Sequence, residues 1–241
     1  LLPDPGMADY GDKDAKKLYP DDFERLKKWR KVFNAPLEQH EVARLQQLSS
    51  KVEELWKEHT QALARDRAKT EDPLDIWPHR KDQDGEASPL SRAQKEDVRK
   101  QGLLNEDGDL ATPFRRLKLV MDYWCALWFW PITESERLPS REAWWMEVGA
   151  ILEGNVVDLA PQGSLDLLPA TEEPQLLVPE VQPTLAGFEV QLTLQQPAEQ
   201  PNLHDRFGQL RIKKLREHFP RVAVVEGIAS RRRFMHWDLC F

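Results

Sequence analysis

The sequence is short of the residues that build most compact reaction centres. Cysteine occurs twice in 241 residues, as Cys125 and Cys240. Two cysteines far apart make no disulfide framework and no metal site alone, and both lie in apolar runs that read as reduced core. Glycine is sparse, and no GxGxxG or GxxxxGK(S/T) loop occurs, which removes the usual backbone cradles for nucleotide phosphates. The histidines include no HExxH pair and no cysteine partners at zinc spacing, so no metal site is expected. His59 reads as a partly buried polar residue on a helix face, and His40, His79, His204 and His218 as surface or boundary residues. No serine sits in a nucleophile elbow, and no set of catalytic residues stands out. The most apolar run, LVMDYWCALWFWP over 119–131, contains Asp122 and falls short of the ~20 residues of a bilayer span, so it reads as a buried helix. Leu1-Leu2-Pro3 leads into acidic and glycine-containing sequence and not into the apolar core of a signal peptide. The default expectations are a cytoplasmic location and no membrane partner. Position 1 is not methionine, so the start is expected to be processed, truncated or an internal cut.

Other residues are plentiful. At 40% hydrophobic and 31% charged, the composition is that of a soluble globular protein with a large polar surface. Nine tryptophans argue for real cores, since each large aromatic buries roughly 150–250 Å² when packed. The formal charge of −7 argues against a general nucleic-acid coat protein but permits a local basic groove. Positive charge concentrates in RLKKWRK (25–31), RIKKLR (211–216) and RRR (231–233). The first reads as a solvated helix face. Lys213, Lys214, Arg231, Arg232 and Arg233 are candidate phosphate-contacting residues, with a solvated face as the competing reading. Carboxylates on helices with lysine nearby read as solvated. YWCALWFW could serve as a stacking platform for bases, but its helical spacing favours core, as does that of Trp144-Trp145.

The expected fold is mainly α with a minor β part, in six stretches. Residues 1–20 read as a disordered N-terminal stretch. A helical hairpin covers 21–70: the first helix follows Pro20 with Asp21 or Asp22 as cap, Asn34-Ala35-Pro36 breaks it, and Val42, Leu45, Leu48, Val52, Leu55, His59 and Leu63 form the stripe of the second. A loop-rich connector spans 71–111, with a short helix near 89–101. Trp-rich buried helices fill 112–154: Thr112-Pro113 starts one that runs to Trp130, and Ser140 and Gly154 bracket REAWWMEVGAILE. Residues 155–202 read as a proline-rich linker with a possible strand, GFEVQLTL (187–194). A basic helix at about 203–218 continues after Pro220, and RRRFMHWDLCF (231–241) reads as a terminal strand.

That last stretch resembles a segment of large bacterial adenine-specific DNA methyltransferases of the Eco57I type, a class found in restriction-modification and phage-defence systems. In them a sequence close to FFHWELEFPEVF directly precedes GGFDVIIGNPPY. Phe234 to Phe241 fits the first eight positions, with Met235 for the second Phe, Asp238 for Glu and Cys240 for the second acid. RLKLVMDYWCALWFWP is similar to that family's LK..ADLWCAAFF helix, and LKKWRKVFNAPLEQHEVARLQQLSSKVEELW to a helical insert. The resemblance implies a helical segment attached to a Rossmann-like methyltransferase domain. It implies double-stranded DNA as partner, further defence-system subunits, and S-adenosylmethionine as methyl donor to adenine N6. Asp238 is the residue it suggests for the cofactor's adenosine, although Cys240 in place of the second acid unsettles the register. Neither NPPY nor an upstream glycine-rich motif occurs here, so both are expected outside these residues. Two other readings stay open: a non-enzymatic helical interaction module and a DNA-binding accessory subunit.

Overall fold

Proline and small hydroxyl residues set most of the helix starts. The computed structural model describes residues 2–71, 90–101, 108–155 and 202–240. The suggested strand at 187–194 lies outside them. Helix α1 spans Lys13–Leu18, capped by Asp12, whose carboxylate accepts from the Asp14 and Ala15 N–H groups. Helix α2, Pro20–Phe33, has proline at its first position. The cap is therefore Tyr19, and Asp21 and Asp22 lie inside the first turn, where carboxylates face the positive end of the helix dipole. Helix α3 is Gln39–Thr70, opened by a capping box between Glu38 and Glu41, and α4 is Arg92–Gln101.

Helix α5, Pro113–Ala126, begins at Thr112, whose hydroxyl accepts the Arg115 N–H at 3.3 Å. It stops four residues before Trp130. Trp128 N–H turns back to Cys125 O and Phe129 N–H to Ala126 O, at 3.1 and 3.0 Å. Trp130 is held off the helix because its indole donates to Glu134 O at 2.9 Å and its own carbonyl accepts the Tyr10 hydroxyl. A 3₁₀ segment follows, Ile132–Arg137. Helix α6, Arg141–Glu153, starts at Ser140 and ends at Gly154, which takes φ +80°. Arg116 of α5 donates to the Ile151 and Leu152 carbonyls, satisfying acceptors that the end of α6 leaves open.

The expected basic helix at 203–218 is shorter than its charge pattern suggests. Residues 203–211 form a turn with isolated antiparallel bridges, Leu110 to Arg211 and His204 to Leu210. Asp205 draws backbone N–H groups to its carboxylate, the competition by which short polar side chains keep a chain out of helix. Helix α7 is then Ile212–His218 and α8 is Pro220–Arg232. The expected terminal strand does not form. Arg231 and Arg232 close α8, Arg233 takes a left-handed conformation at φ 54°, and Trp237–Cys240 make one short helix, α9. A lone strand would leave its N–H groups without partners. Here Phe234 N–H bonds to Ala229 O, and Leu239 N–H to His236 O.

Packing centres on α5, which lies against α3, α6 and α8. The hairpin expectation is corrected: α2 lies against the 3₁₀ segment, whereas α3 packs on α5 and α6. Phe33 joins α2 to the core by stacking on Trp29 and tilting against Trp144, with ring centroids 4.5 and 5.4 Å apart. Trp130, Trp144, Trp145 and Tyr123 are fully buried, so the aromatic run is chiefly core. Residues 2–20 are also more built than expected, since Met7 and Ala8 are buried and Arg30 holds Asp9 and the Pro5 carbonyl.

Several helix carboxylates are buried, not solvated. Glu41 pairs with Arg141 at 2.7 Å, and Arg44 makes a bidentate contact with Glu153, both bonds 2.8 Å. These pairs rotate the buried stripe of α3 so that Val42 is exposed while Glu41 and Arg44 are not. Tyr123 donates to Glu147 at 2.5 Å, and Arg221 pairs with the other oxygen of Glu147. Burial first, and then the Glu147 charge, hold the Tyr123 phenol well above its ordinary range.

Gly149 makes the Arg44 contact possible. A Cβ there would stand 2.4 Å from Arg44 Nη2, whereas a Cβ at Gly227 in α8 meets nothing within 4 Å. Gly149→Ala is expected to lower stability by about 1–3 kcal/mol through displaced packing. Gly227→Ala is expected to raise it by about 0.5–1 kcal/mol through helix propensity. Urea unfolding followed by tryptophan fluorescence separates the two, and equal effects of one sign would contradict this assignment.

Candidate functional site

Helix α5 carries Arg115, Lys118 and Asp122 at three- and four-residue spacing, which places them along one face. That face, with α7 and α8, walls a cleft of about 380 Å³. Arg115, Lys118, Arg216 and Arg233 stand in its lining against Asp122 and Glu226, with Ser230 and Phe234 beside them. Arg216 grips Glu226 through Nε and Nη2 at 2.5 and 2.8 Å, a fork geometry that fixes the guanidinium at the rim. The cleft keeps a positive excess in a chain of net charge −7.

Its floor is Asp122. The carboxylate is 3% exposed and takes Lys118 Nζ at 2.8 Å on one oxygen and His236 Nε2 at 2.7 Å on the other. Buried charge is tolerable only when paired, so this contact also docks the segment after α8. His59 does the same from α3: buried, it meets Leu239 O at 2.8 Å through Nε2, with its ring 5.5 Å from Phe114. Phe129 and Phe234 add a tilted ring pair at 5.6 Å. Half-buried Cys125 has its thiol pushed up by burial and by Asp122, which makes it a poor nucleophile.

Of the residues singled out from sequence, Arg233 alone reaches the cleft. Arg231 and Arg232 line a separate concavity of about 340 Å³ with Phe129, Pro131 and Ile228, where the Arg232 guanidinium lies 5.1 Å from the Phe129 ring centre. Next to it the Tyr10 phenol is pushed up to about 12 by burial, with Arg232 pulling the other way. Lys213 is exposed on α7, and Lys214 Nζ donates to the His204 carbonyl, an internal tie. Arg115 and Lys118 were not singled out as site residues, and Arg216 only as the end of the RIKKLR cluster. For Arg115 and Lys118 the signal was present: the charges on α5 recur with helical period inside an otherwise apolar sequence.

Asp238 lies exposed in α9 and lines neither concavity. The α5 cleft suits the sulfonium cation of S-adenosylmethionine poorly, since four cationic side chains stand in its lining against two carboxylates. Among the described residues no group of His, Cys, Asp and Glu could hold a metal ion, and no helix is long and apolar enough to cross a membrane. Comparison with protein-family models, curated proteins and solved structures returns no match.

The turn before α7 stands at one end of the cleft wall. Backbone N–H of Gln209, the Arg211 guanidinium and backbone N–H of Phe207 hold the Asp205 carboxyl down to about 2. That value is below the ~3.9 of an unfolded aspartate, so the contact stabilises the turn above about pH 4 and is lost as pH falls through about 2. Carboxyl-detected NMR is expected to show Asp205 titrating with a midpoint near 2, and an ordinary midpoint near 4 would contradict the caged geometry.

Proposed function

We propose that this chain is a DNA-contacting helical part of an adenine-N6 DNA methyltransferase, working in restriction-modification or phage defence. One observation carries the reading. Two of the stretches that resemble that family meet in space: the Trp-rich stretch holds His236 and Phe234 of the FMHWDLCF segment through Asp122 in α5 and Phe129 in the turn after it, beside the basic cleft. Segments that share an order in sequence and a junction in space are supported together as one functional unit.

In this reading Arg115, Arg216 and Arg233 contact phosphates and set the position of the duplex, while base-specific chemistry is done elsewhere. S-adenosylmethionine supplies the methyl group, and the residues that hold it lie outside those described. A base inside a duplex cannot present its exocyclic amine, so the target must leave the stack. A surface that fixes the flanking backbone contributes by positioning.

A second reading, a non-enzymatic interaction module, is favoured by an apolar groove on α3 formed by Leu2, Val42, Leu45 and Val52. Exposure of Leu2 and Val42, at 60% and 40%, suits a protein surface better than a phosphate backbone.

Binding to labelled duplex across a salt series decides between them. The chain is expected to bind at low ionic strength with a steep logarithmic salt dependence. Arg233→Ala and Arg115→Ala are each expected to flatten the slope by about 0.9 for the lost contact. Absence of binding at low salt would refute the DNA reading. With no NPPY motif in its 241 residues, the purified chain is also expected not to methylate DNA unaided.

A further inference from the structure

The most heavily braced turn in the described residues holds up a side chain that has nothing to do in the core. Asp205 Oδ1 accepts the Phe207 and Gln209 N–H groups at 2.8 and 3.0 Å, and Oδ2 accepts Arg211 Nε at 2.8 Å. Backbone bonds close the turn from Asp205 N–H to Gln209 O and from Gly208 N–H to Asp205 O. Gly208 sits at φ +73°, a conformation that L side chains avoid. Leu203 and Leu210 anchor the base in the core, and Lys214 ties the His204 carbonyl to α7. At the tip stand Arg206 and Phe207. Phe207 is 71% exposed, and the Arg206 guanidinium lies 4.8 Å from its ring centre.

A mobile exposed Phe is unremarkable, but a caged one is a presented surface. The Arg206 guanidinium covers one face of its ring, the ring is otherwise open to solvent, and exposed Lys213 and Arg216 follow on α7. This combination suits one chemistry well: a planar base stacks on the aromatic while its phosphates meet the cations. Being pre-formed, the tip loses little conformational freedom on binding. We infer that the Arg206–Phe207 tip stacks on an unpaired base of a nucleic-acid strand whose backbone runs along α7. This rests on the DNA-contacting reading above and adds to it a preference for unpaired over fully paired strands.

The test compares two duplexes of one sequence, fully matched and carrying a single bulged 2-aminopurine, bound by the full chain. The chain is expected to bind the bulged duplex about tenfold more tightly and to quench the 2-aminopurine fluorescence. Phe207→Ala is expected to abolish both the preference and the quenching, while matched-duplex affinity and thermal midpoint stay unchanged. Phe207→Trp is expected to restore the quenching. Matched-duplex binding without a bulge preference overturns the stacking inference alone. The same follows if Phe207→Ala keeps the preference, as a tip built for a protein partner would. Failure to bind either duplex at low salt overturns the DNA reading itself.

Discussion

A carboxylate inside an aromatic core has to be paired, and Asp122 is where this structure meets that requirement. It sits in the most apolar stretch of the chain, on the helix that the others pack around. Lys118 satisfies it from within α5, and His236 satisfies it from over a hundred positions away in sequence. The second partner turns a local problem into a long-range one. The segment after α8 must fold back onto α5, and that return sets Arg233 and Phe234 in the lining of the basic cleft beside its Asp122 floor.

The same logic recurs at Glu147, Glu41 and Glu153. Each is reached by an arginine from another element, and together these pairs connect α3, α6 and α8. Hydrophobic burial of Trp130, Trp144, Trp145 and Tyr123 supplies the non-directional driving force. The ion pairs add direction. Removing one partner of such a pair leaves an uncompensated charge, a loss of about 3–5 kcal/mol. Helix register here is therefore set by charges that composition alone assigns to the surface.

Function follows from where these constraints leave positive charge. Internal pairing absorbs the two arginines of the α2 cluster, Arg25 with Asp22 and Glu136 and Arg30 with Asp9, while Lys27, Lys28 and Lys31 stay exposed. The cluster of α7 divides: Lys214 holds its own turn, and Arg216 holds Glu226 while facing the cleft. Charge density in sequence thus overstates some candidates and hides others. Arg115 follows Phe114 and Lys118 sits between two leucines, and only the packing of α8 across α5 makes them a wall.

Local chemistry was readable directly. Thr112-Pro113 and Ser140 start helices because a hydroxyl can accept an orphan N–H. Gly154 ends one because it alone takes a left-handed turn without strain, and Pro36 and Pro131 interrupt the chain for want of a donor. The tryptophans announced a core by size. What tertiary structure decided was every question whose answer depends on a distant partner. It exposed Val42 and buried Arg44, because Glu153 lies across from Arg44. It made RRRFMHWDLCF the end of a helix and a folded-back segment and not a strand, because strand alternation needs a neighbouring strand and the described residues provide a buried Asp122 and His59 instead. Helix signals are contained within a few residues, so a sequence determines them. Pairing of strands, of buried charges and of cleft walls joins residues a hundred apart, and it is settled only when the chain closes on itself.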